Sequence, residues 1–148
     1  MKNNNIKPNR ITYNTLMDIC VKVEKMKEAL KIVEEMQQDD LSPDAFTYSI
    51  ILNGLKISNS NSNVVRNSLN RIYKVVENEE ILVDEVFFNS VLDICHKYEF
   101  TQVSFKFHSL MKKLNVKESS TTYGILIKCY SQAGKLDEAF DLFEKMVN

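Results

Sequence analysis

The side chains best suited to metal binding or nucleophilic chemistry are two histidines and three cysteines, and their spacing serves neither task. His96 and His108 are too far apart and too differently phased to act as a pair, and neither sits in a His-Glu-x-x-His context. Cys20, Cys95 and Cys129 are odd in number, widely spaced and set inside apolar helical patterns with no Cys-x-x-Cys, which reads as buried reduced thiols. The acidic run from Glu77 to Glu80 reads as a solvated face, and Asp137 with Glu138 suits the N-terminal end of a helix dipole. General acid–base work needs a pocket with perturbed carboxylates, and nothing in the sequence points to one. The expectation is no enzyme, no catalytic residue, no metal and no cofactor.

A second set of polar residues recurs at fixed intervals. Asn14, Ser49 and Asn89 each follow an aromatic residue, at Tyr13, Tyr48 and Phe88, and Asp44, Asp84 and Ser119 close the intervals between them. Taken alone, Asn, Asp and Ser at such places read as helix caps and boundary turns.

What positions them is a repeat. Ile11-Thr-Tyr-Asn-Thr-Leu-Met17 recurs as Phe46-Thr-Tyr-Ser-Ile-Ile-Leu52, Val86-Phe-Phe-Asn-Ser-Val-Leu92 and Thr121-Thr-Tyr-Gly-Ile-Leu-Ile127, at spacings of 35, 40 and 35 residues. The second halves repeat as well: Glu28-Ala-Leu-Lys-Ile-Val-Glu-Glu-Met36 matches Glu138-Ala-Phe-Asp-Leu-Phe-Glu-Lys-Met146. Leu16, Ile19, Cys20 and Val23 fall at helical spacing, as do Ala29, Leu30, Val33 and Met36 after a polar break. Each repeat therefore predicts two amphipathic helices in a tight antiparallel hairpin. Gly134 is placed to end a helix in the left-handed conformation, and Pro8 and Pro43 mark repeat ends.

The organisation read from this is a preceding repeat's tail at 1–9, then repeats at 10–44, 45–84, 85–119 and 120–148, the last truncated. The five extra residues of the second repeat are assigned to a polar inter-helix insertion around 58–63, expected to be a solvated, mobile loop. Tyr13, Tyr48, Phe88 and Tyr123 share the helical phase of core residues and read as packing. Met17, Met26, Met36, Met111 and Met146 read as core fillers.

Composition agrees with an all-α solenoid. With 148 residues, 44% hydrophobic and 26% charged, the chain has material for a core, while three glycines and two prolines are too few for an all-β fold. No apolar run approaches the roughly 18 residues of a membrane span, and residues 1–10 carry neither a signal peptide nor a presequence. A net charge of −1 gives no general basic field to attract nucleic acid. Single hairpins cannot bury their apolar faces alone, so stacked neighbours must cover one another. The uncapped repeat ends are expected to favour self-association.

The 35-residue period, the Thr-Tyr-Asn-Thr opening, the Glu-Ala-Leu second helix and the Pro-Asp boundary resemble the pentatricopeptide repeat, across residues 10–148. The resemblance implies a right-handed α-α superhelix of about four helix-turn-helix repeats, binding single-stranded RNA at about one base per repeat, in RNA stabilisation, processing or translation. It implies that Asn14 with Asp44, Ser49 with Asp84, and Asn89 with Ser119 read base edges, as readers of U, G and C in the 5′ to 3′ direction. Ile11, Phe46, Val86 and Thr121 would pack on base faces, and Lys22 and Lys97 would meet the RNA backbone. Ile57 and Gln132 stand where the other repeats have those lysines, and Gly124 offers no side chain to read with. An ionised carboxylate is an acceptor only, which suits the imino N–H that U and G present and C lacks.

The footprint is short, so binding by this chain alone is expected to be weak. No membrane or small-molecule partner is expected. Family habit points to mitochondria or plastids. The competing reading is a tetratricopeptide-like scaffold holding a peptide, against which stand the 35-residue period and the absence of a Trp-Leu-Gly-Tyr pattern.

Overall fold

The structure, a computed structural model, describes residues 6–148. Residues 1–5, part of the expected tail of a preceding repeat, lie outside the described residues. All regular structure among the described residues is helical: α1 (Arg10–Lys22), α2 (Met26–Gln38), α3 (Ala45–Ile57), α4 (Ser62–Glu77), α5 (Glu85–Lys97), α6 (Thr101–Lys113), α7 (Ser120–Gln132) and α8 (Leu136–Val147). They form two compact units, Met1–Ser60 and Asn61–Asn148.

Local chemistry sets where the helices start. Asn9, Asp44, Asp84 and Ser119 cap α1, α3, α5 and α7, each accepting from the backbone N–H three residues on. At three of these starts a threonine, Thr12, Thr47 or Thr122, completes a capping box by receiving the cap residue's own N–H. At the start of α5 that place belongs to Phe87, so only half of the box forms.

Helix ends follow a second rule. Gly134 has φ +74°, as its sequence position predicts. The same left-handed turn is made at five non-glycine residues, Glu24, Asp40, Glu79, Glu99 and Asn115, with φ between 57° and 61°. The next N–H then reaches a carbonyl five residues back, as in Lys25 to Cys20 at 2.8 Å and Phe100 to Cys95 at 2.8 Å. The end of α3 differs: Ser58 is extended, and the helix stops without this turn.

In the first unit α1 packs on both α2 and α3, burying Tyr13, Met17, Val21, Val33, Met36, Tyr48 and Leu55. Each such side chain removed from water contributes roughly 1.5–3 kcal/mol. Gly54 lets α3 approach closely, since a Cβ there would lie 2.9 Å from a Val21 methyl and 2.7 Å from the Met26 sulfur. In the second unit Val65, Leu69, Phe88, Leu92, Phe107, Met111 and Leu126 are buried, and Tyr73 meets Phe107 edge-on with ring centroids 5.3 Å apart.

Several expectations are corrected. The stripe Leu16, Ile19 and Val23 is exposed; the core face of α1 is Tyr13, Met17 and Val21, because α1 carries two apolar stripes and periodicity alone does not choose between them. The second repeat's extra residues do not form a loop at 58–63. The α3–α4 connection is four residues against three within the other repeats, α4 has 16 residues where α2 and α6 have 13, and the connection after α4 is one residue longer than those after α2 and α6. Most of the insertion is helical because Asn61 caps α4 early, accepting from the Asn63 N–H at 2.8 Å, and Ser58 is buried. Cys20 is half-buried, whereas Cys95 and Cys129 are buried thiols whose pKa values desolvation pushes up. Tyr123 and Met146 are likewise only half-buried.

Candidate functional site

The first unit carries an open groove of about 760 Å³ along α1 and the start of α3. Two largely exposed apolar side chains line it, Ile11 at 75% exposure and Phe46 at 64%. Both occupy the same repeat position, the second residue of a cap-started helix, where the side chain faces away from the core. Exposed apolar groups beside a polar lining suit a flat, π-faced ligand.

The polar lining includes Asn14 and Asp44, which the buried Thr47 ties together. Asn14 is only 7% exposed, and its Oδ1 accepts from the Thr47 hydroxyl at 2.9 Å. The amide nitrogen is left as the donor end of the side chain. Asp44 Oδ1 accepts from the Thr47 N–H at 2.9 Å and lies 2.8 Å from the same hydroxyl. Thr47 has one hydroxyl proton for two acceptors, so it ties the amide and the carboxylate into one network.

Asp44 Oδ2 lies 3.8 Å from the Arg10 guanidinium, which is itself held by two hydrogen bonds to the Ser42 carbonyl, at 2.9 and 3.1 Å. Partial burial alone would raise the Asp44 pKa, but the N–H and hydroxyl of Thr47 and the charge of Arg10 outweigh it and hold the carboxyl below its ordinary value. Asp44 is therefore an ionised acceptor at neutral pH. Lys22, at the C-terminal end of α1, is exposed but paired with Asp18 one turn earlier at 2.8 Å.

The other expected site residues fall in two groups. Ser49, in the first unit, is exposed and donates to the Ala45 carbonyl at 2.8 Å. Asp84, in the second, is exposed and accepts from the Phe87 N–H at 2.9 Å. Val86 is 68% exposed and Thr121 is also exposed, matching Ile11 and Phe46 in kind. Asn89 repeats the Asn14 geometry: it is buried, and its Oδ1 accepts from the Thr122 hydroxyl at 2.8 Å. Its amide nitrogen donates to Glu85 at 2.7 Å, and Ser119 donates to the same carboxylate oxygen. A Cβ at Gly124 would meet open space. The Lys97 ammonium lies 5.3 Å from the Tyr98 ring centroid, and Gln132 donates to the His96 carbonyl at 3.3 Å.

Sequence reasoning missed Thr47, Thr122, Arg10 and Glu85. The threonines had a signal, since Thr12, Thr47 and Thr122 share one repeat position. The role of Glu85 had none, because it depends on where the side chain of Ser119 arrives. His108 is buried against Glu118, which also accepts from the Tyr123 hydroxyl at 2.8 Å. This is a structural role within the packing of the second unit. No helix of the described residues is long and apolar enough to cross a membrane.

Two family models match the chain: the PPR repeat family over residues 8–56 and the PPR repeat over residues 116–147. A putative pentatricopeptide repeat-containing protein of Arabidopsis thaliana is 30% identical over 132 residues, 88% of this chain and 22% of its own length. A chloroplastic one from the same plant is 29% identical over 82 residues, 55% of this chain and 11% of its own length. The chain thus spans about a fifth or less of these curated relatives. Among solved structures, the pentatricopeptide repeat protein PPR10 from maize matches 95% of this chain and 19% of its own, with TM-score 0.67 and 21% identity. The same protein solved with an 18-nucleotide psaJ RNA element gives TM-score 0.69. The PPR domain of Arabidopsis thaliana protein-only RNase P 1, solved with tRNA, matches 90% of this chain and 68% of its own, with TM-score 0.71 and 17% identity. These likenesses establish a shared all-α helical-repeat fold.

Proposed function

Because this chain belongs to the pentatricopeptide repeat family, we propose that it binds single-stranded RNA through the exposed faces of its cap-started helices, about one base to a repeat. The observation that carries this reading is the groove of the first unit, which exposed Ile11 and Phe46 line together with Asn14 and an ionised Asp44.

Each part has a chemical task. Ile11 and Phe46 contact the two faces of a base, a contact worth about 1–3 kcal/mol that tolerates any base. Asp44 accepts the imino N–H of uracil, and the amide nitrogen of Asn14 donates to a uracil carbonyl, because its oxygen is already committed to Thr47. Cytosine lacks the imino proton and would set its ring nitrogen lone pair against the carboxylate. In the second repeat Ser49 and Asp84 are assigned to G by the same family pattern, and in the third the pair Asn89 and Ser119, taken by itself, matches the pattern for C. Lys22 and Lys97 are assigned to the phosphates. The biological outcome is assigned to RNA stabilisation, processing or translation, in mitochondria or plastids, and self-association to the exposed apolar faces at the repeat ends.

Fluorescence anisotropy with short oligonucleotides that differ at one base tests the assignment. Asp44→Ala is expected to lose about 1–3 kcal/mol of preference for U over C at the first position, by analogy with base-edge contacts elsewhere, while a U-free sequence binds unchanged. A peptide-binding scaffold would show no base dependence in either protein, and that result would remove the RNA reading.

A further inference from the structure

In the third repeat, the donors that would read a base already hold a carboxylate of the chain itself. Glu85, the first residue of α5, places Oε1 2.7 Å from the amide nitrogen of Asn89, one helical turn on. The same oxygen accepts the Ser119 hydroxyl from the start of α7. Asn89 Oδ1 is committed to Thr122 at 2.8 Å, so the oxygen and one N–H of the amide and the only proton of Ser119 are all spent.

We propose that Glu85 is a specificity-determining residue of the third repeat, its carboxylate standing where a base edge would lie and closing that repeat to cytosine. The inference rests on the base-reading function argued above. Cytosine presents two acceptors, its carbonyl oxygen and its ring nitrogen, so the pair Asn89 and Ser119 has to meet it with donors. Those donors converge on Glu85, and an acceptor-only carboxylate repels both cytosine acceptors. A first-turn acid is favourable at any helix start, which accounts for a glutamate at this place. It does not account for one oxygen taking donors from both residues of the pair.

The other repeats lack the device. Arg10 holds the corresponding place in the first repeat and turns to the Ser42 carbonyl, beside Asp44 without engaging Asn14. Ala45 and Ser120 are too short to reach a reader one turn on.

The test uses the whole chain and three-base cores UGN, with N varied, in an unstructured flank, read by anisotropy. Wild type is expected to prefer U at the first base and to show no preference for C at N, binding C there no better than the other bases. Glu85→Ala, which copies the residue of the second repeat, is expected to gain a preference for C at N of about fivefold or more, with the preference for U at the first base unchanged. Glu85→Ala combined with Ser119→Ala should lose the gained preference. Without RNA, the Asn89 side-chain amide resonances in a 15N–1H spectrum should move in Glu85→Ala, which reports the broken contact in a folded protein. An unchanged response at N alongside an intact response at the first base overturns the proposal alone. Loss of base dependence at every position, in wild type and variant, overturns the reading beneath it as well.

Discussion

Thr47 and Thr122 do the same work in different halves of the chain: each offers a hydroxyl to the oxygen of a buried asparagine from the repeat before it, at 2.9 and 2.8 Å. A buried amide oxygen left unpaired costs about 1–3 kcal/mol, so these bonds both hold neighbouring repeats together and decide which end of the asparagine remains for a ligand. At the corresponding place before the third repeat the chain has Ser49 and Phe87, and Phe87 carries no hydroxyl to give. The His108–Glu118–Tyr123 chain is a part-buried polar contact with groups that titrate. Burial lowers the His108 pKa more than its bond to Glu118 raises it. A histidine whose folded pKa lies below its unfolded value binds fewer protons when folded, so stability is full above the unfolded value near 6.5 and falls as pH drops below it. Glu118 is also held below its ordinary value: burial opposes this, but the bonds from His108 and Tyr123 prevail, and its contribution is lost only at lower pH still. Wild type is expected to melt at a lower temperature at pH 5.5 than at 7.5. His108→Gln, which keeps a donor for Glu118, should flatten that difference. Equal melting temperatures in wild type at the two pH values would contradict the assignment.

At the scale of elements, the helix ends show how far local sequence reaches. Asn9, Asp44, Asp84 and Ser119 are recognisable as starts because a cap is a contact between residues three apart. Gly134 is recognisable as a stop for a similar reason. The five other left-handed ends are not, since Glu24, Asp40, Glu79, Glu99 and Asn115 carry no glycine signal; the turn there is imposed by the hairpin that must close. A left-handed L-residue is strained by roughly 1–2 kcal/mol, while glycine adds back about 0.5–1 kcal/mol of unfolded-state entropy. Glu99→Gly, at an exposed turn between α5 and α6, is therefore expected to stabilise the chain by a few tenths to about 1 kcal/mol, read as a higher denaturant midpoint at constant slope. A loss of stability would mean that the Glu99 side chain has a structural role beyond its turn. The misread stripe on α1 has the same origin as the missed turns. Leu16, Ile19 and Val23 keep helical period as faithfully as Tyr13, Met17 and Val21, and only the direction from which α2 and α3 arrive makes the second set the core. The candidate site was legible where it follows the repeat, at Ile11, Phe46, Asn14 and Asp44, and illegible at Glu85, whose partner comes from 34 residues away.

For the molecule as a whole, the charges bear on how firmly the proposed RNA ligand would be held. Nineteen basic and twenty acidic residues leave no net attraction, so any phosphate contact must come from placed lysines. Of the two assigned, Lys22 is already paired with Asp18 at 2.8 Å. Two neutralised phosphates at a slope of about −0.7 each give a log–log salt dependence near −1 to −2 on single strands. Three stacked bases at about 1–3 kcal/mol each would barely offset an association penalty of about 4–15 kcal/mol, which puts the expected dissociation constant of this chain alone at roughly a few tenths of a millimolar or weaker. Asp18 limits the first of these terms: the ion pair must open before Lys22 can serve a phosphate, and an exposed pair is worth only about 0–1 kcal/mol. Asp18→Asn should therefore tighten binding modestly, by about a factor of two to five at low salt, and steepen the salt slope toward −2, with base preferences unchanged. Titrations of both proteins between low and moderate salt, on one oligonucleotide, measure this directly. A slope of zero in both would remove the lysines from the interface, and an identical slope in the two proteins would show that Lys22 does not meet the backbone.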